Sequence, residues 1–293
     1  MTTNRERVPL RDALRGAADV LAGAGVTDPV VDAELLLAWT LGAEVSRGEV
    51  HAGIIRGDDL EAAQHERFRG YVARRAAREP LQHITGSAPF RHLMLSVGPG
   101  VFVPRPETEI VAQFAIDALA NAAEPAPIAV DLGTGSGAIA LALATEVPHA
   151  SVYAVEKSDA AIAWTRRNVE AIAPGVELRH GDLATAFDDL AGRVAVVASN
   201  PPYVPDAAIP RDDEVRLHDP ALALYGGADG LDIVRIISRV GHRLARAGGT
   251  IVLEHGEWQG EAIREILASD GWLGASTHPD LTGRDRATTA VRP

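Results

Sequence analysis

The sequence predicts an α/β fold: a parallel sheet covered by helices on both faces, preceded by a small all-helical domain and a β-hairpin. Three observations carry this. Apolar residues recur at helical spacing from Leu10 to about Gly86. Residues 87–104 then change period, with short alternating apolar runs broken by Gly98-Pro99-Gly100. Beyond them, strand-length apolar runs alternate with helix-length segments, the pattern of a parallel sheet buried on both sides.

Taken in order, Asp28-Pro29 marks a helix start. Asp28 can cap the free N–H groups, and Pro29 sits where a missing N–H costs nothing. The run Val30 to Trp39 follows and ends near Gly42. Asp58 through Arg78 reads as another amphipathic helix, carrying Arg67, Arg69, Arg74, Arg75 and Arg78. That face is either solvated or a contact surface for a large partner. No catalytic constellation falls in this part. Residues 87–104 read as a hairpin. Helix 107–122 leads through Ala123-Glu124-Pro125-Ala126-Pro127 into strand 127–132, helix 137–147, strand 151–155, helix 159–171 and strand 176–180. Strand 194–199, an irregular stretch 200–227, helix 229–246, strand 250–255 and helix 258–270 complete the pattern.

Composition narrows the function classes. With 293 residues and 46% hydrophobic content the chain can bury a sizeable core and hold two domains. It has no cysteine, which excludes disulfides, thiolate metal sites and cysteine nucleophiles and fits a reducing compartment. The net charge is -12, and Lys157 is the one lysine. Residues 1–80 hold 11 basic and 13 acidic side chains, residues 81–293 hold 17 and 27, so the acidity belongs to the larger C-terminal part. Such a chain is poorly suited to gripping a nucleic-acid backbone, which takes basic patches. No apolar run reaches membrane-spanning length, and the N-terminus lacks the apolar core of a signal peptide. The expectation is a soluble cytoplasmic protein that works as a monomer.

Asp131-Leu132-Gly133-Thr134-Gly135-Ser136-Gly137 leaves a strand and enters a helix. Its glycines permit positive φ and a close approach of backbone to ligand. It is not the six-position dinucleotide fingerprint. Glu156, at the end of the second strand, is placed to meet a ribose diol. Asp182, past the third, can accept from an exocyclic amine while Leu183 packs on a base. A pyrophosphate prefers a glycine turn with few nearby anions. Asp131 beside the turn instead suits a cationic or zwitterionic ligand, and S-adenosylmethionine, with its ammonium and sulfonium, matches better than NAD.

The fourth strand runs into Ser199-Asn200-Pro201-Pro202-Tyr203. Two prolines cannot extend a central strand and leave the Pro201 carbonyl without a ladder partner. The Asn200 side-chain oxygen and that carbonyl are two fixed acceptors suited to one planar NH2 group, and Tyr203 supplies an aromatic wall. The arrangement points to methyl transfer onto an amide or base nitrogen by positioning and preorganised dipoles. It needs no metal, and no residue is assigned as general base.

With these residues in place, the chain resembles the bacterial release factor glutamine methyltransferase family, whose members methylate N5 of the glutamine in the GGQ loop of peptide chain release factors. The resemblance covers almost the whole chain. It includes Pro80-Leu81-Gln82-His83-Ile84-Thr85-Gly86, Val103-Pro104-Arg105-Pro106-Glu107-Thr108-Glu109, the turn at 131–137, Asn200 to Tyr203, Asp219 to Leu224, Gly226 to Leu231 and Asp280 to Arg286. It implies a Rossmann-like, seven-stranded S-adenosylmethionine-dependent methyltransferase domain over 106–293, a helical domain over 1–86 that docks the release factor, and a hairpin linker over 87–105. It implies that Gly133 to Gly137, Glu156, Leu183 and Asn200 line the cofactor, yielding S-adenosylhomocysteine, and that Asn200, Pro201, Pro202 and Tyr203 clamp the substrate amide. Arg105, Pro106 and Thr108 then line the cofactor or the path of the GGQ loop; the competing reading is a rigid linker entering a helix.

There are departures. Glu156 stands where aspartate is usual, His83 where tyrosine is common, His218-Asp219-Pro220 replaces Glu-Pro, and Glu254-His255-Gly256 replaces Glu-Ile-Gly. None touches the amide clamp. A relative acting on a ribosomal protein glutamine shares the clamp, as do adenine methyltransferases of nucleic acids, though the latter call for a basic groove.

Overall fold

The computed structural model describes residues 7–210 and 212–293. The chain forms two compact units. One holds the chain up to Gly86 together with Pro210–His218; the other holds Ser87–Ile209 and Asp219–Pro293.

In the first unit, helix Leu10–Gly23 buries Leu10, Ala13, Ala17 and Leu21, a stripe at helical spacing. It packs with helices Pro29–Leu41, Arg47–Arg56 and Ala62–Ala76 around Leu36, Leu37, Val50, Phe68 and Val72. Two expectations need correcting. The Asp28 side chain makes no capping hydrogen bond at Pro29–Leu41. Residues 58–78 are not one helix: Asp59–Leu60 pairs antiparallel with Val8–Pro9, and the helix starts at Ala62, where Gln64 Oε1 takes the Glu61 N–H at 3.0 Å. The arginine face is also divided. Arg67 and Arg69 are exposed, whereas Arg75 is buried, donating to Asp32 at 2.6 Å, to Glu214 at 2.5 Å and to the Glu79 carbonyl at 3.1 Å. Arg78 reaches the same Glu214 at 3.1 Å. These ion pairs recruit the short helix Asp213–His218, part of a stretch expected to be irregular, into the helical unit.

The second unit opens with a hairpin, Ser87–Phe90 against Leu93–Ser96. Its turn lies at Arg91-His92, with Arg91 at φ 52°, and not at Gly98-Pro99-Gly100 as the alternation suggests. A Cβ on Gly98 would fall 2.4 Å from the Trp164 ring, so that glycine serves close packing.

The main sheet has seven strands: β1 (Ile128–Leu132), β2 (Ser151–Glu156), β3 (Glu177–His180), β4 (Val194–Ser199), β5 (Ala245–Glu254), β6 (Leu273–Pro279) and β7 (Asp285–Val291). Their order is β6-β7-β5-β4-β1-β2-β3, with β7 antiparallel to both neighbours and the rest parallel. Side chains alternate across the sheet. Ala129, Ala154 and Ala198 face a core with helices Thr108–Ala120 and Ala138–Glu146, and Val130, Leu132, Val155 and Val197 face one with helices Asp232–Leu244 and Gly260–Ser269. Connections run one way from β1 through β2 to β3 and the other way from β4 through β5. The order thus reverses beside β1, and such a switch point opens a crevice at the carboxyl ends of the strands. The glycine turn follows β1 and Asn200 follows β4, so sheet order makes the two motifs neighbours.

Candidate active site

At the end of β1 the chain turns through Gly133, Gly135 and Gly137, at φ 78°, 59° and 89°. Those angles demand glycine. The Gly133 and Thr134 N–H groups both donate to the Val155 carbonyl, which folds the turn over β2. A Cβ on Gly133 or Gly135 would meet nothing within 4 Å, leaving open space over the backbone.

Asp131 is buried. Its Oδ2 takes the Thr134 hydroxyl at 2.5 Å and the Ala140 N–H at 3.1 Å, while Oδ1 is buried without a partner among the described residues. Desolvation, opposed by those hydrogen bonds, pushes the carboxyl up to about 7. Glu156 takes the Gly135 N–H at 2.9 Å and the Ser158 N–H at 2.7 Å, so it braces the turn from β2 as well as closing that strand. Asp182 is more exposed, held by the Ala184 N–H at 2.9 Å and by Lys157 at 3.0 Å; both lower its pKa. Leu183 packs against the sheet's second core. A turn with open space over its glycines and an unpartnered buried carboxylate oxygen behind it fits a ligand with a cationic head.

At the end of β4, Ser199 ties the strand to β1 through the Leu132 carbonyl at 2.5 Å. Asn200 Nδ2 donates to Thr108 Oγ1 at 3.2 Å, which leaves Asn200 Oδ1 as the acceptor to offer. No described residue donates to the Pro201 carbonyl. Gly226 and Gly230 hold the following backbone: a Cβ on either would lie 2.4 Å from the Pro202 oxygen or 2.2 Å from the Tyr203 oxygen. The Tyr203 hydroxyl donates to Glu254 at 3.4 Å, and burial pushes its pKa up, so it stays a donor.

Sequence reasoning missed Glu254 as a site residue. It ends β5, is 2% exposed, and faces Thr108, Tyr203, Arg286 and Glu107; desolvation first, and Glu107 with it, push it up to about 7. The available signal was a carboxylate at a strand end, the same one that exposed Asp131 and Glu156. Arg105 pairs with Asp219 at 2.8 Å and lies over Phe102, and Pro106 is exposed. Both nitrogens of the buried His255 are engaged, by the Gly256 carbonyl and Thr288, each at 2.8 Å.

A glycine turn backed by a carboxylate calls for a cationic cofactor, and two carbonyl acceptors one strand away call for an amino group to receive what it carries. The fold and site thus define an S-adenosylmethionine-dependent methyltransferase. Comparison with known proteins narrows this. Residues 12–86 match the PrmC N-terminal domain and residues 93–215 the methyltransferase small domain. The chain is 52% identical to the release factor glutamine methyltransferase of Streptomyces coelicolor, over 94% of this chain and 95% of that one. It belongs to the release factor glutamine methyltransferase family. It is also 38% identical to a 4-amino-L-phenylalanine/4-methylamino-L-phenylalanine methyltransferase of Streptomyces pristinaespiralis, over 97% of this chain and 95% of that one. Among solved structures, the Thermus thermophilus 16S rRNA N2 G1207 methyltransferase with AdoMet and guanosine shares the fold at TM-score 0.52 and 20% identity, over 71% of this chain and 50% of that one. Among the described residues, no helix is long and apolar enough to cross a membrane.

Proposed function

We propose that the protein transfers a methyl group from S-adenosylmethionine to the side-chain amide nitrogen of the GGQ glutamine in class I peptide chain release factors. The observation that carries this is the pair of acceptors on consecutive residues just past β4, Asn200 Oδ1 and the Pro201 carbonyl, with neither oxygen taken by a described donor. Each accepts one hydrogen of the substrate NH2, which fixes its plane and favours the positive charge that grows on nitrogen as the N–C bond forms. When bound, S-adenosylmethionine supplies the electrophilic methyl group. Gly133, Thr134, Gly135, Ser136 and Gly137 hold it from the turn with Asp131 behind them, Glu156 takes the ribose, Asp182 and Leu183 the base, and Arg105 and Thr108 border it. Tyr203 walls the flat amide, and the extra proton leaves to solvent after transfer. The helical domain over residues 1–86 docks the body of the release factor, 87–105 serves as linker, and 106–293 is catalytic. The protein works as a cytoplasmic monomer with no direct nucleic-acid or membrane partner.

The test incubates purified protein and S-adenosylmethionine with a release factor, the same factor with its GGQ glutamine changed to alanine, the ribosomal protein of the sister activity, and 4-amino-L-phenylalanine. Peptide mapping by mass is expected to place a single methyl on the GGQ glutamine and none on the alanine control. A release factor left unmodified beside any methylated alternative contradicts the proposal.

A further inference from the structure

Gln259 stands just before helix Gly260–Ser269 and reaches back to the backbone that ends the clamp. Its Oε1 accepts the Gly256 N–H at 2.9 Å, and its Nε2 donates to the Tyr203 carbonyl at 3.0 Å and to the Asp229 carbonyl at 3.4 Å. Only one orientation of the amide serves all three. Turned over, it would set Oε1 against two carbonyl oxygens and Nε2 against an N–H. The anchor is itself fixed, because the Gly256 carbonyl accepts the Gln259 N–H at 3.0 Å and the His255 Nδ1–H at 2.8 Å. What Gln259 holds is one end of a planar unit, the Tyr203–Val204 peptide. The carbonyl of that peptide goes to Gln259, and its N–H goes to the Leu224 carbonyl at 2.8 Å. Gly230 leaves room for this approach: a Cβ there would lie 2.2 Å from the Tyr203 oxygen and 2.9 Å from Gln259 Nε2. The Tyr203 ring has a second hold, its hydroxyl on Glu254, but at 3.4 Å that hydrogen bond is long. The main-chain hold is the firmer of the two.

We propose that Gln259 is a positioning residue of the clamp: by taking the Tyr203 carbonyl it sets the main chain from which the aromatic wall projects, and so the plane in which the substrate amide lies. The inference rests on the amide-methylating reading and adds the group that seats its aromatic wall. Gln259 acts through Tyr203, and no bond is made or broken by it. Its loss leaves the glycine turn in place, together with the hydrogen bond from Asn200 Nδ2 to Thr108. Affinity for the cofactor and for the body of the release factor should therefore survive while the rate of transfer falls.

The experiment compares wild type, Q259E and Q259M in single-turnover methylation of a release factor at saturating S-adenosylmethionine from about pH 5.5 to 8.5. Cofactor affinity, release factor affinity and Tm are measured alongside. Q259M keeps the length of the side chain but cannot donate. Q259E keeps an acceptor for the Gly256 N–H; ionised, it sets its other oxygen against the Tyr203 carbonyl, and protonated, it donates there instead. Two carbonyl oxygens nearby disfavour the ionised form and raise that carboxyl above its ordinary value. A wall misplaced by about 1 Å slows transfer by about 10- to 100-fold. Both variants are expected to lose that much at the alkaline end, with both affinities little changed. The Q259E rate relative to wild type should recover as pH falls, a recovery that Q259M lacks. The titratable groups on the segments touching Gln259 are Tyr203, whose pKa burial pushes up, Asp229, held at about 2 by Arg235, and Glu257, 3.7 Å from Arg284. The wild type carries the same three, so the ratio isolates position 259. Variants that transfer at the wild-type rate overturn the inference while the methylation reading stands; Q259M alone decides this if Q259E does not fold. A ratio of Q259E to wild type that ignores pH overturns it as well, as does a loss of cofactor affinity equal to the loss in rate, which would make Gln259 a support of the fold at large. A wild type that leaves the release factor unmethylated overturns the reading itself, and the inference with it.

Discussion

Asp131 and Glu254 end two strands of the same sheet, and burial pushes both carboxyls up to about 7, yet they belong to differently built regions. Asp131 leans on its own turn, taking Thr134 and Ala140 from the next nine residues. Glu254 faces Thr108, Tyr203, Arg286 and Glu107, contributed by segments far apart in the chain. The glycine turn is thus a local object whose geometry follows from spacing. The proposed amide clamp is a tertiary object, assembled because β1, β4 and β5 are adjacent in the sheet. Consequently the turn should respond to substitution mainly through cofactor affinity and stability, and the clamp mainly through rate.

The sharpest way to break that division is N200A. Removing a preorganised acceptor is expected to slow single-turnover transfer by ~10²–10³-fold, in the range seen when one dipole aimed at developing charge is deleted. A variant that transfers at the wild-type rate leaves the clamp without a catalytic role.

D131N probes the other carboxylate. The wild-type group has a folded pKa of about 7 against an ordinary 3.8, so the fold binds a proton that the unfolded chain has lost. Its contribution to stability is complete below the unfolded value and disappears as pH rises through about 7. A tenfold difference in proton affinity between folded and unfolded chain is worth about 1.4 kcal/mol. D131N should therefore flatten the wild-type fall in Tm between pH 5 and 8, seen by calorimetry, and weaken cofactor binding about tenfold while leaving the rate at saturation less affected than N200A does. The same rate loss as N200A, with unaltered cofactor affinity, would erase the distinction between the regions.

The smallest effect separates two glycines of the turn. G137A meets both a φ of 89° and contacts at 3.2 Å to Leu141 and 3.3 Å to Thr165, whereas a Cβ on Gly133 has open space. Left-handed strain costs roughly 1–2 kcal/mol for a residue with a Cβ. G137A should thus lower Tm by several degrees and G133A by less, with cofactor affinity the more sensitive readout for G133A. Equal Tm losses would show that φ alone governs the turn.

Legibility follows the same division. The turn, its flanking strand and Glu156 can be read directly, because glycines and acidic residues at strand ends punctuate the sequence. Asn200 to Tyr203 can be read because two prolines in a central strand are unusual. Glu254 carries the same strand-end signal, but its place in the site becomes visible only beside Tyr203, 51 residues away in the chain. The Arg75–Glu214 pair, at 2.5 Å, joins residues too far apart for any periodicity to link, so the helix Asp213–His218 hides in a stretch that reads as irregular. Strands β6 and β7 escape pattern reading because Ser276, Thr277, His278, Thr288 and Thr289 break their apolar alternation, and only the family resemblance implies them. The hairpin turn is misplaced by its sequence because Gly98 and Gly100 outweigh Arg91-His92 as turn signals, although Gly98 is needed for packing against Trp164.

The most direct measurement is a crystal structure of the protein with S-adenosylhomocysteine and a release factor domain bearing the GGQ loop. The glutamine side-chain nitrogen is expected within hydrogen-bond distance of both Asn200 Oδ1 and the Pro201 carbonyl, with Asn200 Nδ2 donating to Thr108. A glutamine nitrogen seated away from both acceptors would contradict the amide clamp.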